Sequence, residues 1–252
     1  MTDNRDGKSG LVPPHGGCRN LNSCRASFAL LVGAFIALSL LTGFAGAGVN
    51  YDPQARFLGI FNDERLRLTA GYCLAHYGSE STELGEPQLI VVHYTAFATR
   101  DESLRFFAPP RLDKVSRRDI TGGGAVNVSA HYLIDRDGSA LQLAPDNVVC
   151  RHTIGFNRTA IGIENVGRNA AELTEAQASA TADLISRLVA RHPSIAYLIG
   201  HHEYRKSDLP HYRLFREDDR SYRFTPKIDP GPAFMARVRG LLRERHGIVL
   251  KD

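Results

Sequence analysis

Three short apolar runs, at 88–92, 161–166 and 197–199, constrain this chain more than any other feature, because the first and the last break off into clusters that carry histidine. Runs of that length read as strands buried on both faces of a sheet. Helical patterns interleave with them. Residues 64–77 have helical character. Thr99, Asp101 and Glu102 precede Leu104, Phe106 and Phe107, the signature of a short capped helix ending before Pro109 and Pro110. Thr174 with Gln177 three residues on forms a capping box, and Leu184, Ile185, Leu188 and Val189 then recur at helical spacing until His192 and Pro193. Pro232 opens a last amphipathic helix that the pattern carries to about Leu242. Residues 131–134 and 140–143 flank Asp135-Arg136-Asp137-Gly138, a hairpin signal in which Asp-Gly tolerates positive φ. The class is therefore α/β, with no internal repeat. The basic, Gly-rich stretch 111–127 reads either as a surface loop or as the lining of a cleft.

At 252 residues, 43% hydrophobic and 23% charged, the chain can bury one proper core. Its net charge is +4, half of it from the first 47 residues, where Arg5, Lys8, Arg19 and Arg25 outnumber Asp3 and Asp6. So weak a charge on the rest argues against nucleic acid as a partner. Cys73 and Cys150 lack CxxC spacing, which excludes a zinc knuckle or a thioredoxin motif; a disulfide between them and two separate buried thiols both fit.

The segment 26–49 carries no charge and follows Arg19 and Arg25. Its length would span a bilayer, while Ala45-Gly46-Ala47 looks like a signal-peptidase site, so a cleaved signal and a retained membrane anchor both fit. By the positive-inside rule either places the following domain across the membrane, exported to the periplasm or cell envelope. The expected organisation is a disordered region at 1–25, the apolar segment at 26–49, an extension at 50–86 and a catalytic domain at 87–245.

Three polar clusters stand where the buried elements end. His93 follows the first run; His201 and His202 follow Gly200; Asp229 precedes Pro230, Gly231 and the last helix. The zinc-protease helix motif is ruled out, because Lys206 stands where a second histidine would be needed. Asp229 could simply cap the Pro232 helix. Taken together, though, two histidines and a carboxylate on the ends of rigid elements match the ligand count of a catalytic zinc site with an open position.

Six ordered motifs carry a resemblance: V-V-H-Y-T at 91–95, V-S-A-H-Y-L-I-D-R-D-G at 128–138, R-H-T-I-G-F-N at 151–157, I-G-I-E-N-V-G at 161–167, G-H-H-E-Y at 200–204 and K-I-D-P-G at 227–231. The set, spanning roughly 87–242, resembles the type 2 N-acetylmuramoyl-L-alanine amidases, a family that includes wall amidases and peptidoglycan recognition proteins. The resemblance implies a single domain with a central mixed β-sheet flanked by helices, and zinc in a surface groove. It implies His93, His201 and Asp229 as the ligands of Zn2+, with His202 a neighbour that does not bind. It implies Glu164 as the proton-transfer residue and Lys227 as the cation that stabilises an oxyanion. Some members carry a catalytic tyrosine where Ala130 stands here, which leaves proton transfer to Glu164. His152 and Asn157 match positions near the substrate groove, though both also fit as plain strand-end or turn residues. His131 reads as a buried or supporting histidine.

The function so implied is hydrolysis of the amide between N-acetylmuramic acid and L-alanine in peptidoglycan or muropeptides. A non-catalytic muropeptide-binding module of the same fold is the alternative; it would require a broken zinc or catalytic position, and all of these are filled. A phage endolysin fits less well with a retained anchor.

Overall fold

In the computed structural model, the residues described are 50–252. The expected disordered region at 1–25 and the apolar segment at 26–49 lie outside them. Ten elements follow in the order β1 (Arg56–Phe57), α1 (Asp63–Tyr77), β2 (Leu89–Tyr94), α2 (Arg100–Phe107), β3 (Tyr132–Ile134), β4 (Ala140–Gln142), β5 (Ala160–Asn165), α3 (Glu175–Arg191), β6 (Tyr197–Gly200) and α4 (Pro232–His246), with short 3-10 turns between them. The strands form one six-stranded sheet in the order β1-β4-β3-β5-β2-β6. All neighbours pair parallel except the β3–β4 hairpin, which makes the sheet mixed. The α/β class with a mixed sheet and flanking helices is thus the fold observed.

The three apolar runs are the adjacent strands β5, β2 and β6, with β6 at one edge of the sheet, and they are buried along their whole lengths apart from Tyr94. Alternation along them divides the core. Ile90, Val92, Ile161, Ile163 and Leu198 pack with Leu184, Ile185 and Leu188 of α3 and Met235 and Val238 of α4. Leu89, Val91, Ala160 and Ile199 face the other way, onto Phe156 and Tyr204. Helix starts follow their caps: Thr99 with Glu102 opens α2 and Thr174 with Gln177 opens α3, each satisfying backbone N–H groups reciprocally. Gln177 also donates to the carbonyls of Ile134 and Val166, tying the start of α3 to the sheet.

Two features depart from the sequence pattern. Helix α4 runs one turn beyond Leu242, to His246. That last turn is charged rather than apolar, so periodicity could not show it; Arg243, Arg245 and His246 complement the negative helix end, and Gly247 at φ 66 closes it. The second is the segment 50–86, expected as an extension, which is built into the domain. Strand β1 adds an edge to the sheet, and the inner face of α1 is made of Arg65, Thr69, Tyr72, Cys73, His76 and Tyr77. The Arg65 guanidinium, fully buried, donates to the carbonyls of Phe107, Pro109 and Asn127. With Arg65, Thr69 and His76 interrupting Tyr72, Cys73 and Tyr77, that face carries no continuous apolar stripe to be read. Cys73 and Cys150 are free, separately buried thiols. Among the described residues no helix is long and apolar enough to cross a membrane.

Candidate active site

The parallel pairing of β5, β2 and β6 aligns their carboxyl ends, where open α/β sheets place ligands. His93 is in register with Glu164, and Val92 with Gly200, so His201 follows one residue beyond the same level. His93 alternates with Leu89 and Val91, and Glu164 with Ala160 and Gly162, so both lie on the face turned away from α3 and α4. They open into a cavity of about 360 Å³, also lined by His152, His201, Lys227 and Asp229.

Three donor atoms converge there. His93 Nδ1 lies 3.0 Å from His201 Nδ1 and 3.3 Å from Asp229 Oδ2, and His201 Nδ1 lies 3.1 Å from that same oxygen. All three residues are buried, and they form a cluster able to hold a metal ion. Burial brings His201 down to about 4, which leaves its imidazole neutral at physiological pH. Burial alone would raise Asp229, but the flanking His201 and His93 outweigh it and hold the carboxyl well below its usual range. A neutral imidazole beside an ionised carboxylate is the pairing of protonation states a metal requires. Asp229 is not a helix cap: Gly231 occupies the N-cap of α4 without a side-chain bond.

The adjacent histidines part company for a steric reason. The His202 ring lies against Gly200, where a Cβ would come within 2.6 Å of it and 2.9 Å of Met235, on the α4 side of the sheet. Its N–H donates to the Asp229 carbonyl at 2.8 Å and its Nδ1 lies 3.2 Å from that oxygen, so His202 holds the backbone of Asp229 from behind.

Glu164 is buried beside this trio, and its Oε2 has no hydrogen-bond partner. Burial pushes its carboxyl up to about 7, against the opposing pull of His93, Lys227 and Arg117. A buried, unpaired carboxylate is costly unless a ligand completes it. Lys227 lines the cavity, half-buried.

The remaining candidates separate. His152 stands edge-on to His93, its Nδ1 3.2 Å from His93 Nε2, on a floor opened by Gly162, where a Cβ would come within 2.8 Å of the ring. Asn157 also lines the cavity, but its amide is engaged within the fold: Oδ1 accepts from the N–H groups of His152 and Thr153, and Nδ2 donates to Tyr72. It braces a turn. His131, fully buried, accepts from Gly162 N–H and meets the Val148 carbonyl, away from the donor trio.

Residues with no clear sequence signal also line the cavity. Arg117 and Ile120 come from the stretch 111–127, so that stretch lines a cleft. Tyr222 and Thr225 come from irregular chain before Lys227, whose composition carries no signal. Ala96, at φ 62 two residues after β2, holds a strained conformation at the rim, the kind of outlier that clusters at functional sites.

Fold and donors together define a class: an α/β domain with a two-histidine, one-carboxylate centre and a free buried glutamate at the carboxyl ends of three parallel strands. The chain belongs to the N-acetylmuramoyl-L-alanine amidase family, whose sequence profile matches residues 83–232. No curated protein matches it. Among solved structures it is similar to an AmpD selenomethionine derivative, at 24% identity and TM-score 0.48 over 76% of this chain and 96% of that one. It is also similar to the N-acetylmuramoyl-L-alanine amidase LysC from Clostridium intestinale URNW, at 25% identity and TM-score 0.37 over 50% and 78% of the two chains. A third is peptidoglycan recognition protein-LE in complex with tracheal cytotoxin, at 22% identity and TM-score 0.38 over 58% and 88%.

Proposed function

We propose that this protein is a zinc-dependent N-acetylmuramoyl-L-alanine amidase that cleaves peptidoglycan or muropeptides in wall remodelling or recycling. The observation that carries the reading is the convergence of His93, His201 and Asp229 beside the unpaired Glu164 carboxylate in one cavity. The donor set suits zinc: bonds of about 2.0–2.1 Å at tetrahedral angles separate ligand atoms by roughly 3.3 Å, against the 3.0–3.3 Å found here. Zinc held by these three residues would act as a Lewis acid, polarising the scissile carbonyl and making water nucleophilic near neutral pH.

The chain's own residues supply the rest. Glu164, with its raised pKa, accepts a proton from the attacking water and returns it to the departing L-alanine nitrogen. Lys227, a compact cation on the cavity wall, stabilises the negative oxygen of the tetrahedral adduct. His152 and the surrounding apolar wall keep bulk water away from His93. Mass spectrometry of digested, purified sacculi tests the reading: new free L-alanine amino termini are expected, and intact stem-peptide linkages with a zinc-loaded enzyme would refute it.

The proposal extends to location. With 26–49 uncharged and preceded by basic residues, the domain acts outside the cytoplasm. An alkaline phosphatase fusion after Asp252 is expected to be active; an inactive fusion, with a cytoplasmic reporter active in its place, would overturn this topology.

A further inference from the structure

We propose that Arg151 is a positioning residue: within the lining of the cavity it clips together two irregular segments of the cavity's wall, and so governs substrate binding. Arg151 is 4% exposed. Its Nη1 donates to the carbonyls of Gly124 and Val126 at 3.2 and 2.7 Å, and its Nη2 to the Ile120 carbonyl at 2.6 Å and the Tyr222 hydroxyl at 3.0 Å. It also lies over the Tyr72 and Tyr222 rings, 5.5 and 5.6 Å from their centroids. One fork thus holds the stretch that carries Arg117 and the stretch that carries Lys227. Gly123 leaves the room for it, because a Cβ there would collide with both Arg151 Nη2 and Tyr222.

The fork matters because neither segment is held by regular strand pairing: the 111–127 stretch has one short 3-10 turn, at Arg118–Gly123, and one isolated bridge, Arg111 to Val126. His93, Glu164 and His201, by contrast, are placed by the sheet itself. Loosening the clip therefore acts on the wall, and through it on the substrate, before it acts on the donor trio. A lysine, a single point charge, cannot span carbonyls and hydroxyl together as the planar fork does.

The inference rests on the amidase reading for its kinetic arm only. The full chain would be compared with Arg151→Met, Arg151→Lys and Tyr222→Phe by limited trypsinolysis, melting temperature, and KM and kcat on a purified muropeptide. Trypsin cleavage after Arg220 and Arg223 should accelerate about tenfold in Tyr222→Phe, as expected for loss of one hydrogen bond to a charged donor, and cleavage there and after Lys114, Arg117 and Arg118 should accelerate more in Arg151→Met, with Arg151→Lys giving no rescue. KM should rise about tenfold, with kcat within about threefold. Cleavage unchanged at those sites, cleavage raised everywhere in step with lost stability, or accelerated cleavage with unchanged KM would each overturn it. Should Arg151→Met fail to fold, Tyr222→Phe decides alone. Accelerated local cleavage in a protein whose wild type hydrolyses no muropeptide would sink the amidase reading and leave the clip standing.

Discussion

Replacing His201 with alanine is expected to empty the proposed metal centre and abolish hydrolysis, whereas replacing His202 leaves both largely intact. His201 Nδ1 is one corner of the donor triangle, within 3.1 Å of both other corners. Without it only two protein donors remain, and affinity should fall by more than the roughly 10- to 100-fold that accompanies loss of a residue supporting a ligand. The His202 ring makes one side-chain hydrogen bond, to the Asp229 carbonyl, and its backbone N–H to the same oxygen survives substitution. One such bond contributes about 1 kcal/mol, less than tenfold in affinity. Zinc measured by elemental analysis after dialysis, with turnover on the same samples, separates the two. Equal metal loss in both variants would mean that the neighbouring histidines share the centre, against the placement of the His202 ring over Gly200.

The second large effect is expected from Glu164→Gln, which should lower kcat by about 10²- to 10⁴-fold, the usual loss of a general base or acid, while zinc content and muropeptide binding stay near normal. The change is nearly isosteric and removes only the capacity to hold and pass a proton. Burial sets the direction of the pH dependence: a carboxyl raised to about 7 is protonated below that value and cannot then accept a proton, so activity is lost as the pH falls. A bound cation favours the carboxylate and moves that limb lower. A glutamate with only a structural role would show its loss in melting temperature instead. A folded, zinc-replete Glu164→Gln protein with near-normal turnover would remove Glu164 from the mechanism.

The candidate residues differed in how far the chain itself revealed them. His93, His201 and Asp229 each follow or precede an element whose end is visible in the sequence, so their positions on rigid scaffolding could be read in advance. Arg117, Tyr222 and Arg151 could not be read that way, because they work through irregular chain. Arg65 escaped for the opposite reason: it is buried in a helix face where Arg65, Thr69 and His76 interrupt Tyr72, Cys73 and Tyr77, so no apolar stripe reports its burial.

By itself the sequence determined the α/β class, three strands of the sheet, the starts of α2, α3 and α4 and the family, because these depend on local signals: short apolar runs, capping boxes, a helix-opening proline and motifs in a fixed order. Only the tertiary structure decided the rest. Strand β1 and the inner face of α1 join the core through pairings and hydrogen bonds to chain far away in sequence. Asp229 turns its carboxylate to two histidines instead of capping a helix, and His201 and His202, adjacent in the chain, face opposite sides of the sheet. Which of two neighbouring donors enters a site depends on the space the surrounding backbone leaves for each ring, and that space exists only once β2, β5, β6 and α4 have packed together.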